Sequence, residues 1–305
     1  MNQGWIYRDK VRPIDAGLTV LEYYTERYHH SGSEEWLKRI LSEQILLNNQ
    51  PVNPHTCLQT GQNLTYHRPP WKEPDVPLSF EVLSEEQDLL IIAKPSGLPV
   101  LPGGGFLEHT LLWQLQQQYP QDKPVPIHRL GRGTSGLMLI ARSPLARSNL
   151  TQQMRDRQIR KVYRTLIGKS ELPDHFIIDH PIGKIPYPSL GYLYAATPDG
   201  KFAYSECQVL KRRDQNTLLE VTILTGRPHQ IRIHLATMGY PLLGDPLYTI
   251  GGIPKINDND KLAVPGDCGY YLHAYQLAFI HPRTKQLMTF TCPDRINPKY
   301  HDSLD

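Results

Sequence analysis

Apolar positions change their spacing once along this chain, near residue 80. In residues 14–67, Leu18, Leu21, Tyr24 and Tyr28 recur at helical intervals, and after Ser31-Gly32-Ser33 so do Trp36, Leu37, Ile40 and Leu41. The stretch ILLNNQPV places two apolar patches around an Asn-Asn turn signal, and NLTYH follows. Together they predict two short helices and a small β-element. Arg68–Pro77 holds four prolines; proline has no backbone donor for a helix or a ladder, so residues 68–79 read as a linker. Beyond it come FEVL, LLIIAK, GLMLIAR, VYRTLIG, LLEVTILT and LAFIH, short runs rich in strand-forming residues, with helical spacing only at Leu111–Gln117 and Leu145–Gln158. Strands that outnumber helices without alternating with them predict an α+β fold with a mixed, mostly antiparallel sheet.

Composition sets outer limits. With 305 residues, 39% of them hydrophobic, the chain can bury a real core and has room for about two domains. The longest apolar runs, such as Leu89–Ala93 and Leu137–Ala141, fall far short of the roughly 20 residues that cross a bilayer. The first residues, MNQGWIYRDKVRP, show no signal-peptide run. Cys57, Cys207, Cys268 and Cys292 form no C-x-x-C pair, which argues against a zinc ribbon and for reduced thiols. The expectation is a cytoplasmic protein with no membrane contact, a monomer by default.

Charge changes the picture only when it is divided. Lys+Arg 33 against Asp+Glu 30 gives a net +3. Between Gln121 and Ser170, however, stand Lys123, Arg129, Arg132, Arg142, Arg147, Arg155, Arg157, Arg160, Lys161, Arg164 and Lys169, against only Asp122 and Asp156. That segment carries +9 and the remainder −6. A solvated helix face interleaves both signs, whereas an arginine-rich block suits phosphates, so an RNA partner is expected there. Residues 1–80 add nothing to the excess, with 8 basic and 9 acidic residues.

Two motifs invite other chemistry. Gly131-Arg132-Gly133-Thr134-Ser135-Gly136 spells G-x-G-x-x-G, but a strand-like run follows it, where a dinucleotide site needs a helix. A glycine-rich turn into a strand accounts for it better. His229 and His234 stand five apart, not the four that align two imidazoles on a zinc-binding helix, so no metal is expected.

Five segments together resemble the RluA-type RNA pseudouridine synthases. Pro126–Gly136 (PIHRLGRGTSG) is close to that family's H-R-L-D-x-x-T-S-G motif, and Asp88–Val100 (DLLIIAKPSGLPV) resembles its strand with a K-P-x-G turn. Arg160–Gly168 (RKVYRTLIG) is similar to its K-x-Y motif, Thr225–Tyr248 (TGRPHQIRIHLATMGYPLLGDPLY) to its third signature, and Leu272–Pro282 (LHAYQLAFIHP) to its closing segment. The likeness spans residues 80–295, and residues 14–67 resemble an S4-type RNA-binding module. It implies an isomerase without metal or diffusible cofactor. The N1–C1′ bond of a uridine in RNA is broken and the base rejoined through C5. By position it implies catalytic roles for Tyr163 and Arg232, and a space-filling role for Arg129 when the target nucleotide is flipped out. Contacts to RNA are expected from His128, Arg129, Arg132, Arg155, Arg157, Lys161, Arg227 and His229. Ribosomal RNA is expected ahead of tRNA.

One position departs from the resemblance. Where the family has its essential aspartate, this chain has Gly131, flanked by HRL and TSG at the expected spacing. Glycine supplies no acid, base or nucleophile. Arg232, which the resemblance would pair with that aspartate, must then find another carboxylate, with Glu206, Asp245 and Asp156 as candidates, or hold an RNA phosphate or water. A domain that binds RNA in the same cleft without modifying it is the alternative.

Overall fold

A computed structural model describes residues 1–187, 190–255 and 264–293. The chain divides into two units, Met1–Glu73 with Pro186–Tyr192, and the remainder.

In the first unit, strand β1 (Trp5–Lys10) precedes helices α1 (Val20–Arg27) and α2 (Ser33–Leu41) and strands β2 (Ile45–Leu47), β3 (Gln50–Pro51) and β4 (Asn63–Arg68). Thr19 opens α1 with a capping box. Its hydroxyl accepts from the Glu22 amide, while the Glu22 carboxylate accepts from the Thr19 amide, so two otherwise orphaned donors are satisfied. Asn48 and Asn49 both take positive φ in the β2–β3 turn, a conformation their short amides tolerate. Tyr23, Tyr24, Trp36, Ile40 and Leu64 fill the core between the helices and the sheet. The unit begins earlier than residue 14, because β1 pairs with the whole of β4, from Trp5↔Arg68 to Lys10↔Asn63.

The rest of the chain forms β5 (Glu81–Glu85), β6 (Leu89–Lys94), α3 (Leu111–Gln118), β7 (Val125–Pro126), β8 (Ser135–Ala141), α4 (Pro144–Arg155), β9 (Arg160–Gly168), β10 (His175–Ile178), β11 (Ile182–Tyr187), β12 (Gly191–Ala196), β13 (Ser205–Arg212), β14 (Asn216–Ile223), α5 (Gln230–Thr237), β15 (Leu272–Ile280) and β16 (Leu287–Thr291), all in the second unit except the Pro186–Tyr192 ends of β11 and β12. Among the described residues its main sheet runs β10-β13-β14-β9-β15-β8-β6-β5, with β16 beside β15 and β7 beside β8. The fold is α+β, and every pairing in this sheet is antiparallel except β8 with β15.

Alternation along β6 and β8 feeds two cores. Leu90, Ile92, Met138 and Ile140 pack on one face with residues of α3 and α5; Leu89, Ile91, Leu137 and Leu139 pack on the other with Ala146 and Leu150 of α4. The parallel contact is short, His273↔Ser135 and Ala274↔Gly136, and very close. Gly136 has φ +103°, and a Cβ there would lie 2.3 Å from the Ala274 carbonyl oxygen. Only glycine permits this approach, which holds the end of the 126–136 loop against β15.

Gly136→Ala is therefore expected to cost about 3 kcal/mol or more of unfolding free energy, read from the urea midpoint. Gly168→Ala, where a Cβ would meet nothing within 4 Å, serves as the control and should leave the midpoint nearly unchanged. Equal losses in the two variants would refute the steric reading.

Candidate active site

The segment after β14 folds as a helix whose first turn is tied to the sheet. Gln230 Oε1 accepts from the Thr225 hydroxyl (2.7 Å) and the Arg227 amide (3.0 Å), while its Nε2 donates to the Tyr204 carbonyl (2.9 Å) and Ser205 Oγ (3.0 Å). With all four bonding capacities in use, Gln230 fixes the N-terminus of α5. Two residues on, Arg232 is only 2% exposed. Its Nε and Nη2 each donate to Asp245 at 2.7 Å, a planar two-pronged pair. Asp245 Oδ1 also accepts from the Leu247 and Tyr248 amides (2.8 and 3.0 Å), so the carboxylate closes the turn after α5. The guanidinium carbon lies 4.2 Å from the Tyr270 ring centre and 5.0 Å from that of Tyr248. Nη1 is buried and has no hydrogen-bond partner among the described residues.

Burial opposes both charges, yet the pair wins. Hydrogen bonding and attraction to Asp245 hold Arg232 above its ordinary value, and the same bonds hold Asp245 below its own.

The loop carrying Gly131 is pinned from the K-P-S-G turn. Lys94 is 1% exposed, and its ammonium donates to the carbonyls of Pro95 (2.8 Å), Leu98 (2.8 Å) and Arg132 (3.3 Å). Burial pulls its pKa down to about 7. The Gly97 amide donates to the Arg132 carbonyl (2.7 Å), Ser96 Oγ donates to the Gly133 carbonyl (2.8 Å), and the Thr134 amide closes a turn on the Gly131 carbonyl (3.0 Å). Gly131 itself is exposed. A Cβ built on it would lie 3.2 Å from Tyr270 Oη and 3.4 Å from Thr134 Oγ1. Tyr270 thus touches both the Gly131 position and the Arg232 guanidinium.

Tyr163 lies in β9 opposite Val221 and Ala274, in the same apolar cluster as Leu130 and Tyr270. Burial raises its pKa far above that of a free phenol, so it stands as a neutral hydroxyl. Of the candidate partners for Arg232, the structure selects Asp245. Glu206 is exposed on β13 opposite Thr222, and Asp156 accepts from Gln152 at the end of α4.

The residues expected at RNA separate into two groups. His128 Nε2 accepts from the Leu139 amide (3.2 Å), Arg132 Nε donates to the Gly266 carbonyl (2.6 Å), and Lys161 is buried beside Met154 Sδ (3.8 Å). Tyr248 donates its hydroxyl proton to the Tyr194 carbonyl, so His229, 2.7 Å away, donates to Tyr248 through Nδ1. These four side chains are engaged within the protein. Arg129, Arg155 and Arg157 are exposed, and Arg227 Nε donates to the Phe202 carbonyl at 2.9 Å. The local charge is also partly internal, because Arg142 pairs with Glu85 and Asp122 and Arg164 with Glu220. No cluster of potential metal ligands occurs among the described residues, and no described helix is long and apolar enough to cross a membrane.

Residues 88–237 match the sequence profile of the family described as RNA pseudouridylate synthase. An uncharacterized RNA pseudouridine synthase of Synechocystis is 54% identical over 274 residues, covering 90% of this chain and 93% of that protein. The ribosomal large subunit pseudouridine synthase D of Neisseria meningitidis serogroup B is 30% identical, covering 87% of this chain and 72% of the relative. Among solved structures, human RNA pseudouridylate synthase domain containing 1 aligns with a TM-score of 0.57 at 22% identity, over 75% of this chain and 89% of its own, a likeness of fold.

Two outcomes follow from the buried charges. Asp245→Asn leaves Arg232 buried without its counter-ion and should cost about 3–5 kcal/mol of stability, measured by urea unfolding; a loss under 1 kcal/mol would contradict the pairing. Burial lowers the pKa of His128 to about 4, His229 to about 3 and His234 to about 4, from an ordinary 6.5. Below pH 6.5 the unfolded chain binds protons that the folded chain refuses. Their contribution is therefore complete above pH 6.5 and lost as pH falls toward 3–4. The melting temperature should decline from pH 6.5 downward, and a flat profile between pH 7 and 5 would contradict this.

Proposed function

The chain belongs to the RNA pseudouridylate synthase family, isomerases of uridine in RNA, and from that premise we propose that its site is the cleft around Tyr270, where Gly131 and Arg232 come together beside Tyr163. The observation that carries this assignment is Arg232 Nη1, a buried donor with no hydrogen-bond partner among the described residues. Heterolysis of the N1–C1′ bond leaves negative charge on the uracil ring, spread over its carbonyl oxygens. A preorganised guanidinium N–H in a desolvated site stabilises such developing charge far better than water does. Asp245 grips the other edge of the guanidinium, so the ion stays in place without blocking Nη1. Tyr163 supplies a neutral hydroxyl on an aromatic ring suited to stacking against the base. Rotation of the detached ring brings C5 to C1′; the C5 proton is then lost and N1 gains one, so the reaction remains an isomerisation.

Position 131 contributes backbone only. Asp245 does not replace a nucleophile, because its two oxygens already accept four hydrogen bonds. The reaction in this reading is thus driven by electrostatic stabilisation and positioning. The glycine also favours a second reading, in which the cleft holds RNA without changing it. Ribosomal RNA is our proposed substrate class, supported by the name of the Neisseria relative, a ribosomal large subunit pseudouridine synthase, and by the resemblance of the N-terminal unit to an S4 module.

Tritium release from RNA carrying 5-³H-uridine separates the two readings. The unaltered chain should release tritium, Arg232→Lys should reduce the rate about 100-fold through loss of the planar donor array, and Tyr163→Phe should reduce it more modestly. An inactive native chain that gains activity with Gly131→Asp would establish the binding-only reading. Pseudouridine mapping in ribosomal RNA from cells with and without the protein tests the substrate class; a site lost from tRNA alone would exclude ribosomal RNA.

A further inference from the structure

Phe202 is an apolar ring that the fold holds in solvent. It is 48% exposed, yet the backbone around it is held by several hydrogen bonds. Lys201 exchanges two backbone hydrogen bonds with Ile182 (2.9 and 3.0 Å), and Ala203 is completely buried. The Tyr204 amide donates to Thr225 Oγ1, and the Tyr204 carbonyl accepts from Leu224 and from Gln230, the residue that anchors α5. Arg227 Nε grips the Phe202 carbonyl itself. A rigid loop presenting an exposed aromatic ring has already met the entropic cost of ordering a contact surface.

One arginine stands at this ring and another at its backbone. Arg157 lies with its guanidinium carbon 5.8 Å from the ring centre. The close cation–π pairs of this protein are much tighter, 3.5 Å for Arg164 with Tyr275 and 4.2 Å for Arg232 with Tyr270. Arg157 therefore lies over the ring only loosely. Its backbone is a second and independent observation. Arg157 has φ +58° at the end of α4, where its amide donates to the Met154 carbonyl and the Gln158 amide to that of Gln153. This is the left-handed closing position of a Schellman motif, which glycine fills without strain. An arginine held there accepts a conformational penalty that its packing does not explain, since the side chain is exposed. Arg155, two residues earlier, is also exposed and has no ion-pair partner among the described residues.

We propose that Phe202, with Arg157 at its ring and Arg227 at its carbonyl, is a stacking site for an unpaired base of the RNA substrate, with the arginines holding the flanking phosphates. The proposal rests on the RNA reading above and adds a contact site to it. Its chemistry follows from the parts: every base has a π-face that an aromatic ring can carry, and arginine forks match phosphate oxygens. Single-stranded RNA offers both at once, whereas a duplex keeps its bases stacked away from side chains.

The test is binding of the full-length protein to a fluorescein-labelled, uridine-rich RNA strand, and to the same strand in a duplex, by anisotropy over a range of salt concentrations. Phe202→Ala should weaken single-strand binding about tenfold with an unchanged salt slope, since it removes stacking and no charge. Phe202→Trp should restore it. Arg157→Gly should weaken binding and reduce the slope by about one ion, while the melting temperature stays level or rises, because glycine relieves the left-handed backbone. Phe202→Ala binding within twofold of the unaltered chain overturns the proposal, as does an equal loss on the duplex. Failure of the unaltered chain to bind either RNA overturns the RNA reading itself, and the stacking site with it.

Discussion

A guanidinium that is 2% exposed cannot exist in a folded protein without an organised set of counter-charges. Much of the architecture around Arg232 meets that demand. Asp245 supplies the charge, and the Leu247 and Tyr248 amides hold its carboxylate in the plane of the guanidinium. Tyr270 and Tyr248 bring their ring faces toward the cation. Gln230, two residues earlier, fixes the helix that carries the arginine. These contacts come from three stretches of chain, so neutralising one ion draws α5, the turn at 245–248 and the approach to β15 together.

The same constraint leaves a vacancy of chemical function at Gly131. The pair is saturated on the edge that faces Asp245 and leaves Nη1, a buried donor without a partner among the described residues, on the other. Tyr270 occupies the neighbourhood that a side chain at 131 would enter, since a Cβ there comes within 3.2 Å of its hydroxyl. A bulky phenol from one segment thus stands at a missing side chain in another, and Lys94 ties the loop to its own turn through three carbonyls.

How far the sequence disclosed this differs by element, for physical reasons. LLIIAK and GLMLIA stand out because both faces of β6 and β8 are buried, so apolar residues run without interruption. Helices α1 and α2 bury one face each and show the helical period. Strand β1 carries no such mark: WIYRDK is exposed at nearly every position, and its membership depends on pairing with β4. Helix α5 is the converse case. From Gln230 to Ala236 every residue is buried, so no polar face exists to reveal the period, and only the contacts distinguish helix from strand. Within the site, motif spacing pointed to Tyr163, Arg232 and Gly131. Which carboxylate reaches Arg232 depends on a turn that spacing does not describe, and Tyr270 arrives from a distant segment with no motif of its own.

The distribution of arginine sharpens what the fold does with its charge. A block of +9 on the sequence suggests one uniform basic surface, but the structure separates it by role. Arg142 and Arg164 are held by Glu85, Asp122 and Glu220, so their charges stabilise the sheet and its loops. Lys161 is buried, and its ammonium is drawn down in pKa by that burial. The cations left free are those at the loop tip and the end of α4, Arg129, Arg155 and Arg157 among them. A long-range field needs only total charge, whereas recognition needs donors that the protein has not already used. By that measure the part of the basic segment that keeps unused donors is smaller than its composition suggests.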